Sequence, residues 1–175
     1  WLFFTSIAVG AVILVAAATV TKSDWNWSIR RVGVAFAAFL PFSFLLFLPL
    51  LGIGEWFFPW VEEMAHDPIL QNKQAWLNQP FLIARDVIGV LVLFGLALYF
   101  AYQTLRPDLG LAAGNPDEDE GRARWRERLT GGWMGQEAEE VRADRRMKRV
   151  APALALLFAV VFSMISYDWV MSLEA

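Results

Sequence analysis

Residues 1–20 read WLFFTSIAVGAVILVAAATV and contain no Asp, Glu, Lys or Arg. An α-helix rises about 1.5 Å per residue, so a run of this length reaches across the roughly 30 Å hydrocarbon core of a bilayer. An uninterrupted apolar stretch this long predicts a transmembrane helix rather than a buried helix of a soluble domain. Ser6 and Gly10 lie four residues apart, and Ala16, Ala17 and Ala18 follow. Small side chains at such positions let a neighbouring helix approach closely.

Working outward, the same texture recurs over residues 32–53, 81–103 and 150–171, so the fold class expected is all-α transmembrane. The arrangement expected is an antiparallel four-helix membrane bundle, part of a larger polytopic subunit, with a long polar cytoplasmic loop. Pro41 falls in the middle of the second span, where a missing backbone donor predicts a kink, and Pro49 lies nearer its far end. Pro152 is placed in the first turn of the fourth span, where the lost donor costs little. Of the 175 residues, 57% are hydrophobic, against about 45–50% in an ordinary soluble domain. That excess is collected into blocks, which is the pattern of membrane spans. Trp1 opens inside an apolar run with no initiator Met and no basic leader, so it is not read as a signal peptide. Ser172-Leu173-Glu174-Ala175 stop just past a helix, and the chain is expected to be a portion of a longer protein.

Orientation follows from where Lys and Arg fall. Lys22, Arg30, Arg31 and the ten basic residues from Arg106 to Arg149 belong to the first and third connections, whereas Lys73 and Arg85 lie on the other side. The positive-inside rule counts Lys and Arg, not net charge. Connections 21–31 and 104–149 are therefore expected in the cytoplasm and connection 54–80 on the outer face. The outer connection is rich in large aromatics: Trp56, Phe57, Phe58, Trp60 and Trp76. Such a surface suits lipid headgroups or a partner subunit. Pro59 followed by Glu62 and Glu63 suits the first turn of a short helix. The inner connection carries the acidic run Asp117 to Glu120 and is read as a solvated or partly disordered segment. Two charged helical patches are expected in it, supported by Glu118–Arg122, Glu120–Arg124 and Asp144–Lys148 at four-residue spacing.

The chain has no Cys and a single His, His66. Thiolate-held iron–sulfur clusters, covalent C-x-x-C-H haem attachment and Cys-rich zinc sites cannot be built from it, and a bis-His haem needs a second imidazole. No metal, cofactor-binding or catalytic residue is assigned. His66 beside Asp67 reads as a solvated loop histidine or a subunit contact, and a metal or proton-relay role is the sharper alternative. No basic face on a soluble module exists to bind nucleic acid.

Ionisable side chains at membrane depth are costly and are treated first as functional candidates. Arg85, Asp86 and Asp168 qualify, and antiparallel threading brings all three toward the outer side. Arg85 can pair with Asp168 or with Asp86 if the third and fourth helices are neighbours. One reading is a proton path or the polar wall of a quinone pocket, with Ser163, Ser166 and Tyr167 extending a hydrogen-bonded chain. The other is a structural ion pair or side chains reaching to the interface.

Three stretches carry a resemblance. They are Asp67-Pro68-Ile69-Leu70 with Lys73, continuing through Leu77-Asn78, Pro80-Phe81 and Arg85; Arg30-Arg31 leading into a span with Ala-Phe and Leu-Pro; and Asp168-Trp169-Val170-Met171-Ser172-Leu173-Glu174. Together they resemble the F-type membrane subunit of alternative complex III, a bacterial quinol:electron-acceptor oxidoreductase related to the polysulfide-reductase-type (NrfD-like) membrane proteins. Residues 110–135 match nothing in that pattern, and Ala175 stands where the family pattern has Pro. The resemblance implies a roughly ten-helix subunit of two four-helix bundles, of which this chain is one. It further implies a scaffold, with a possible proton path and no redox centre of its own. Haem c and iron–sulfur clusters would sit in outer-face partner subunits, with quinone or quinol elsewhere in the complex. The expected partners are the lipid bilayer, other membrane subunits and those outer-face subunits, in a bacterial cytoplasmic membrane. A secondary transporter or channel subunit and a purely structural membrane anchor are the competing classes. A transporter predicts a substrate pocket at the midplane.

Overall fold

The computed structural model describes residues 1–23, 25–52, 76, 78–113 and 119–169, and every regular element among them is helical. Helix α1 spans Leu2–Val20. Helix α2, Asn26–Ala35, passes through a 3-10 turn at Phe36–Phe39 into α3, Leu40–Gly52. The remaining helices are α4, Gln79–Leu111, α5, Glu120–Leu129, and α6, Gln136–Trp169. Among the described residues, four stretches are long and apolar enough to cross a membrane: Leu2–Val20, Ile29–Gly52, Gln79–Leu111 and Gln136–Trp169.

The 3-10 turn has a cause in the sequence. Pro41 has no N–H to give the carbonyl of Ala37. The Leu40 N–H bonds that carbonyl instead, one residue early, which tightens the helix locally. The expected mid-span irregularity is therefore a short 3-10 segment, continuous with helix on both sides.

Helices α4 and α6 run past the apolar stretches read as their spans. Helix α4 continues to Leu111 and α6 begins at Gln136, so much of the 104–149 connection is helix rather than loop. Pro152 accordingly sits in the interior of α6 and not in its first turn. The charged residues before it sustain the helix: Lys148 Nζ lies 2.6 Å from Asp144 Oδ2, and Gln136 Nε2 donates to Glu140 at 2.6 Å, both at helical spacing. The expected Glu120–Arg124 carboxylate pair is not formed, because Arg124 Nε reaches the Glu120 backbone carbonyl at 3.4 Å. Glu118 lies outside the described residues.

Helix α4 packs on α6 along much of its length, and α1 lies against α6 and α2. Val9, Val12 and Ala16 of α1, Leu93, Ala97 and Phe100 of α4, and Ala151 and Leu154 of α6 form the covered core. Gly33 explains the close approach of α2 to α1, since a Cβ there would overlap the Val15 side chain and lie 3.2 Å from the Ala11 carbonyl oxygen. The outward faces are apolar as well. Phe3, Phe42, Leu45, Ile88 and Leu156 are each more than half exposed. A soluble protein rarely shows such a continuous belt; acyl chains suit it.

Contacts between helix ends place residues at two poles. Trp1, Ser43, Phe47, Arg85, Asp168 and Trp169 meet at one. Arg31, Thr104, Asp108, Glu139 and Met147 lie toward the other.

Candidate functional site

The entry to α4 is set by Asn78, whose side-chain oxygen accepts the Phe81 N–H at 3.4 Å, with Pro80 in the first turn. Both are standard helix-start devices. They fix the register that carries Arg85 and Asp86 into the pole formed with α6. Arg85 Nε donates to Asp168 Oδ2 at 2.8 Å, and Nη2 donates to Asp168 Oδ1, a two-pronged pair. Such fork geometry is the strong form of a charge-assisted bond. Arg85 Nη1 also donates to the Trp76 carbonyl at 3.3 Å. The guanidinium stands over the Trp76 ring at 4.1 Å and near the Phe81 ring at 5.3 Å, so aromatic faces supply part of its environment. Side-chain exposure is 8% for Arg85 and 1% for Asp168.

Asp86 is equally covered. Its Oδ2 accepts the Trp169 Nε1–H at 2.7 Å, while its Oδ1 is buried without a donor among the described residues. Asp86 also lies within hydrogen-bonding reach of the Asp168 carboxyl. The cluster thus holds two carboxyl groups to one guanidinium. A proton placed between the carboxyl groups would supply the donor that Asp86 Oδ1 lacks. Trp169 closes the cluster on its inner side, against Phe47 at 5.7 Å and Trp1 at 6.4 Å between ring centres. Trp1 is held in turn by its Nε1–H on the Ser43 carbonyl at 2.8 Å, beside the covered Thr5–Ser43 hydroxyl pair at 2.6 Å.

Ser163, Ser166 and Tyr167 do not join this cluster. All three are exposed on α6 and line an open groove with Phe158, Ala159 and Phe162. Among the described residues none bonds Asp168. At about 100° per residue, Asp168 shares its face with Val161 and Ile165, both buried. The helical repeat therefore turns these hydroxyls away from Asp168, although they are close to it in sequence. Of the aromatic partner-interface candidates, Trp76 is exposed and stacked under Arg85. Trp56, Phe57, Phe58 and Trp60 lie outside the described residues, as do His66 and the Pro59–Glu63 segment.

A second cluster, at the opposite pole, was hidden in the charged connection. Arg106 donates through Nε to Glu139 Oε2 at 2.7 Å and through Nη2 to Oε1 at 3.3 Å. Its Nη1 bonds the Tyr102 hydroxyl at 2.5 Å and the Leu129 carbonyl at 3.2 Å, and Nη2 bonds the Gly131 carbonyl at 3.1 Å. Tyr102 in turn donates to the Leu129 carbonyl at 2.6 Å. One guanidinium thereby ties together α4, the end of α5 and the start of α6. Beside it, Arg31 binds Asp108 with two bonds of 2.8 and 2.6 Å on the surface. Nothing in the sequence set the pair apart: Tyr102 and Arg106 lie four apart on α4, off the face that carries Ala97 and Phe100, and Arg106 falls among residues read as a solvated connection.

Among the described residues no three His, Cys, Asp or Glu side chains converge on a point that could hold a metal ion. Compared with known proteins, the chain matches no family model, no curated protein and no solved structure.

Proposed function

We propose that this chain is a redox-centre-free membrane subunit of a quinol-oxidising electron-transfer complex of the alternative complex III type, forming one antiparallel four-helix bundle in a bacterial cytoplasmic membrane. The observation that carries the reading is the bonding of Arg85 to Asp168. Each lies in one of the stretches that carry the family resemblance, 83 positions apart. In this reading Arg85, Asp86, Asp168 and Trp169 form a proton-exchanging or structural cluster near the outer face. The pole around Arg106 lies in the cytoplasm, as the count of basic residues requires. Haem c, iron–sulfur clusters and the outer aromatic loop's partner belong to other subunits, because a chain with no Cys and one His supplies neither kind of redox ligand set. The buried polar groups lie toward the two poles rather than at the midplane, which disfavours a transporter.

The test is what accompanies the chain. Affinity purification of the tagged protein from its native membrane should bring c-type haem absorbance and iron in fixed ratio to the chain. Recovery of the chain without haem or iron, from membranes where it is intact, would overturn the complex and leave the structural anchor.

A further inference from the structure

Helix α5 presents a surface that neither cluster uses. Gly121, Arg124, Trp125 and Arg128 fall at positions i, i+3, i+4 and i+7, one stripe of a helix, and enclose an open concavity of about 270 Å3. Arg124, Trp125 and Arg128 are exposed, Trp125 by 64%. The Arg128 guanidinium stands 5.7 Å from the centre of the Trp125 ring. Across the whole helix four arginines stand against Glu120 and Glu127, and no residue is buried.

The position of this stripe matters as much as its charge. The Leu129 carbonyl at the end of α5 is bonded by both Tyr102 and Arg106. Those two residues adjoin the end of the apolar stretch of α4, so α5 is pinned where a membrane gives way to water. Exposed Trp is favoured at that level, and Arg side chains there meet the phosphates of the surface.

We propose that the Gly121–Arg128 stripe of α5 binds the phosphate headgroups of anionic phospholipids. Arg124 and Arg128 donate to the phosphodiester oxygens, and Trp125 lies between headgroup and acyl chain. The inference rests on the chain spanning a membrane and not on its membership of a redox complex.

The full chain, purified in detergent, is titrated with phosphatidylglycerol and with phosphatidylcholine, and bound lipids are counted by native mass spectrometry. The wild-type protein should prefer phosphatidylglycerol. The variant R124Q/R128Q should lose about fivefold in apparent affinity for each arginine removed, while R124K/R128K keeps most of the preference. Neither variant alters a buried side chain, and equal helicity by circular dichroism checks the fold. In vesicles containing brominated phosphatidylglycerol, Trp125→Phe should remove a quenched component of the fluorescence. An R124Q/R128Q protein with undiminished lipid preference overturns the proposal. So does displacement of phosphatidylglycerol by inorganic phosphate at equal concentration, which would mark a site for soluble phosphate, or wild-type indifference to lipid charge, which would leave the stripe to an acidic protein. Failure of the wild-type chain to integrate into vesicles at all sinks the membrane reading itself, and is scored separately by carbonate extraction.

Discussion

Asp168 spends both carboxylate oxygens on Arg85, which is itself 8% exposed and bracketed by Trp76 and Phe81. Asp168→Asn keeps the shape of the side chain but removes the charge that both prongs of the covered guanidinium engage, leaving Asp86 as the remaining carboxyl of the cluster. Breaking a buried pair from one side costs about 3–5 kcal/mol, and the lower end is expected because the Trp76 carbonyl and ring still serve Arg85. Thermal unfolding of the detergent-purified protein should fall accordingly. Adding Arg85→Gln should recover part of the loss, the signature of a coupled pair. Asp86 makes the opposite prediction. Its Oδ1 lacks a donor among the described residues, and an Asn amide can offer one to Asp168 while its oxygen keeps the Trp169 bond. Asp86→Asn should therefore leave stability unchanged or raise it by about 1 kcal/mol. If the cluster exchanges protons, the same variant should lower quinol-dependent turnover. Unchanged turnover with reduced stability would mark Asp86 as structural only.

Among the elements, the junction of α4, α5 and α6 depends on a single side chain. Arg106 has four partners, the Glu139 carboxylate, the Tyr102 hydroxyl and the carbonyls of Leu129 and Gly131. Glu139 is fully covered, yet it lies at the margin of the fold, so Arg106→Gln should cost about 2–3 kcal/mol, less than a deeply buried pair. The sharper expectation is local: limited proteolysis should open the 130–135 turn in the variant while the long apolar helices stay protected. Uniform loss of protection across the chain would mean that Arg106 supports the whole fold instead. This junction was not legible in the sequence, where Arg106 counted as one of ten basic residues in a solvated connection. Hydropathy reports where a membrane can lie, and it is blind to whether a charged segment continues the helix. That is why α4 and α6 outran residues 103 and 150, while the spans themselves were plain from their length and lack of charge. The Arg85 and Asp168 candidates were legible because charge inside an apolar run is conspicuous. Ser163, Ser166 and Tyr167 were misplaced because proximity along a helix says nothing about face. Trp169 went unremarked as a ligand of Asp86 because a Trp at a span end has an ordinary interfacial explanation.

At the scale of the whole molecule, the two poles differ in chemistry. One holds Arg85, Asp86 and Asp168 within aromatic walls of Trp1, Phe47, Trp76 and Trp169. The other is rich in arginine, with Arg31, Arg106, Arg142 and Arg146 all engaged in hydrogen bonds near the helix ends, although acids match bases in number over residues 104–149. Thirteen basic residues are assigned to the second side and two to the first, so retention of the second pole in the cytoplasm is expected. The chain contains no Cys, which makes sidedness directly measurable without removing native thiols. A single cysteine at Asn72→Cys should react with a membrane-impermeant maleimide added outside intact cells. One at Gly114→Cys should react only after permeabilisation. The reverse pattern would invert the orientation and carry the carboxyl cluster to the cytoplasmic side. There it would face proton uptake rather than release, and a partner bearing haem c on the outer face would meet the arginine-rich pole instead. Because the proposed lipid site on α5 moves with that pole, the same labelling also decides which leaflet supplies its anionic headgroups.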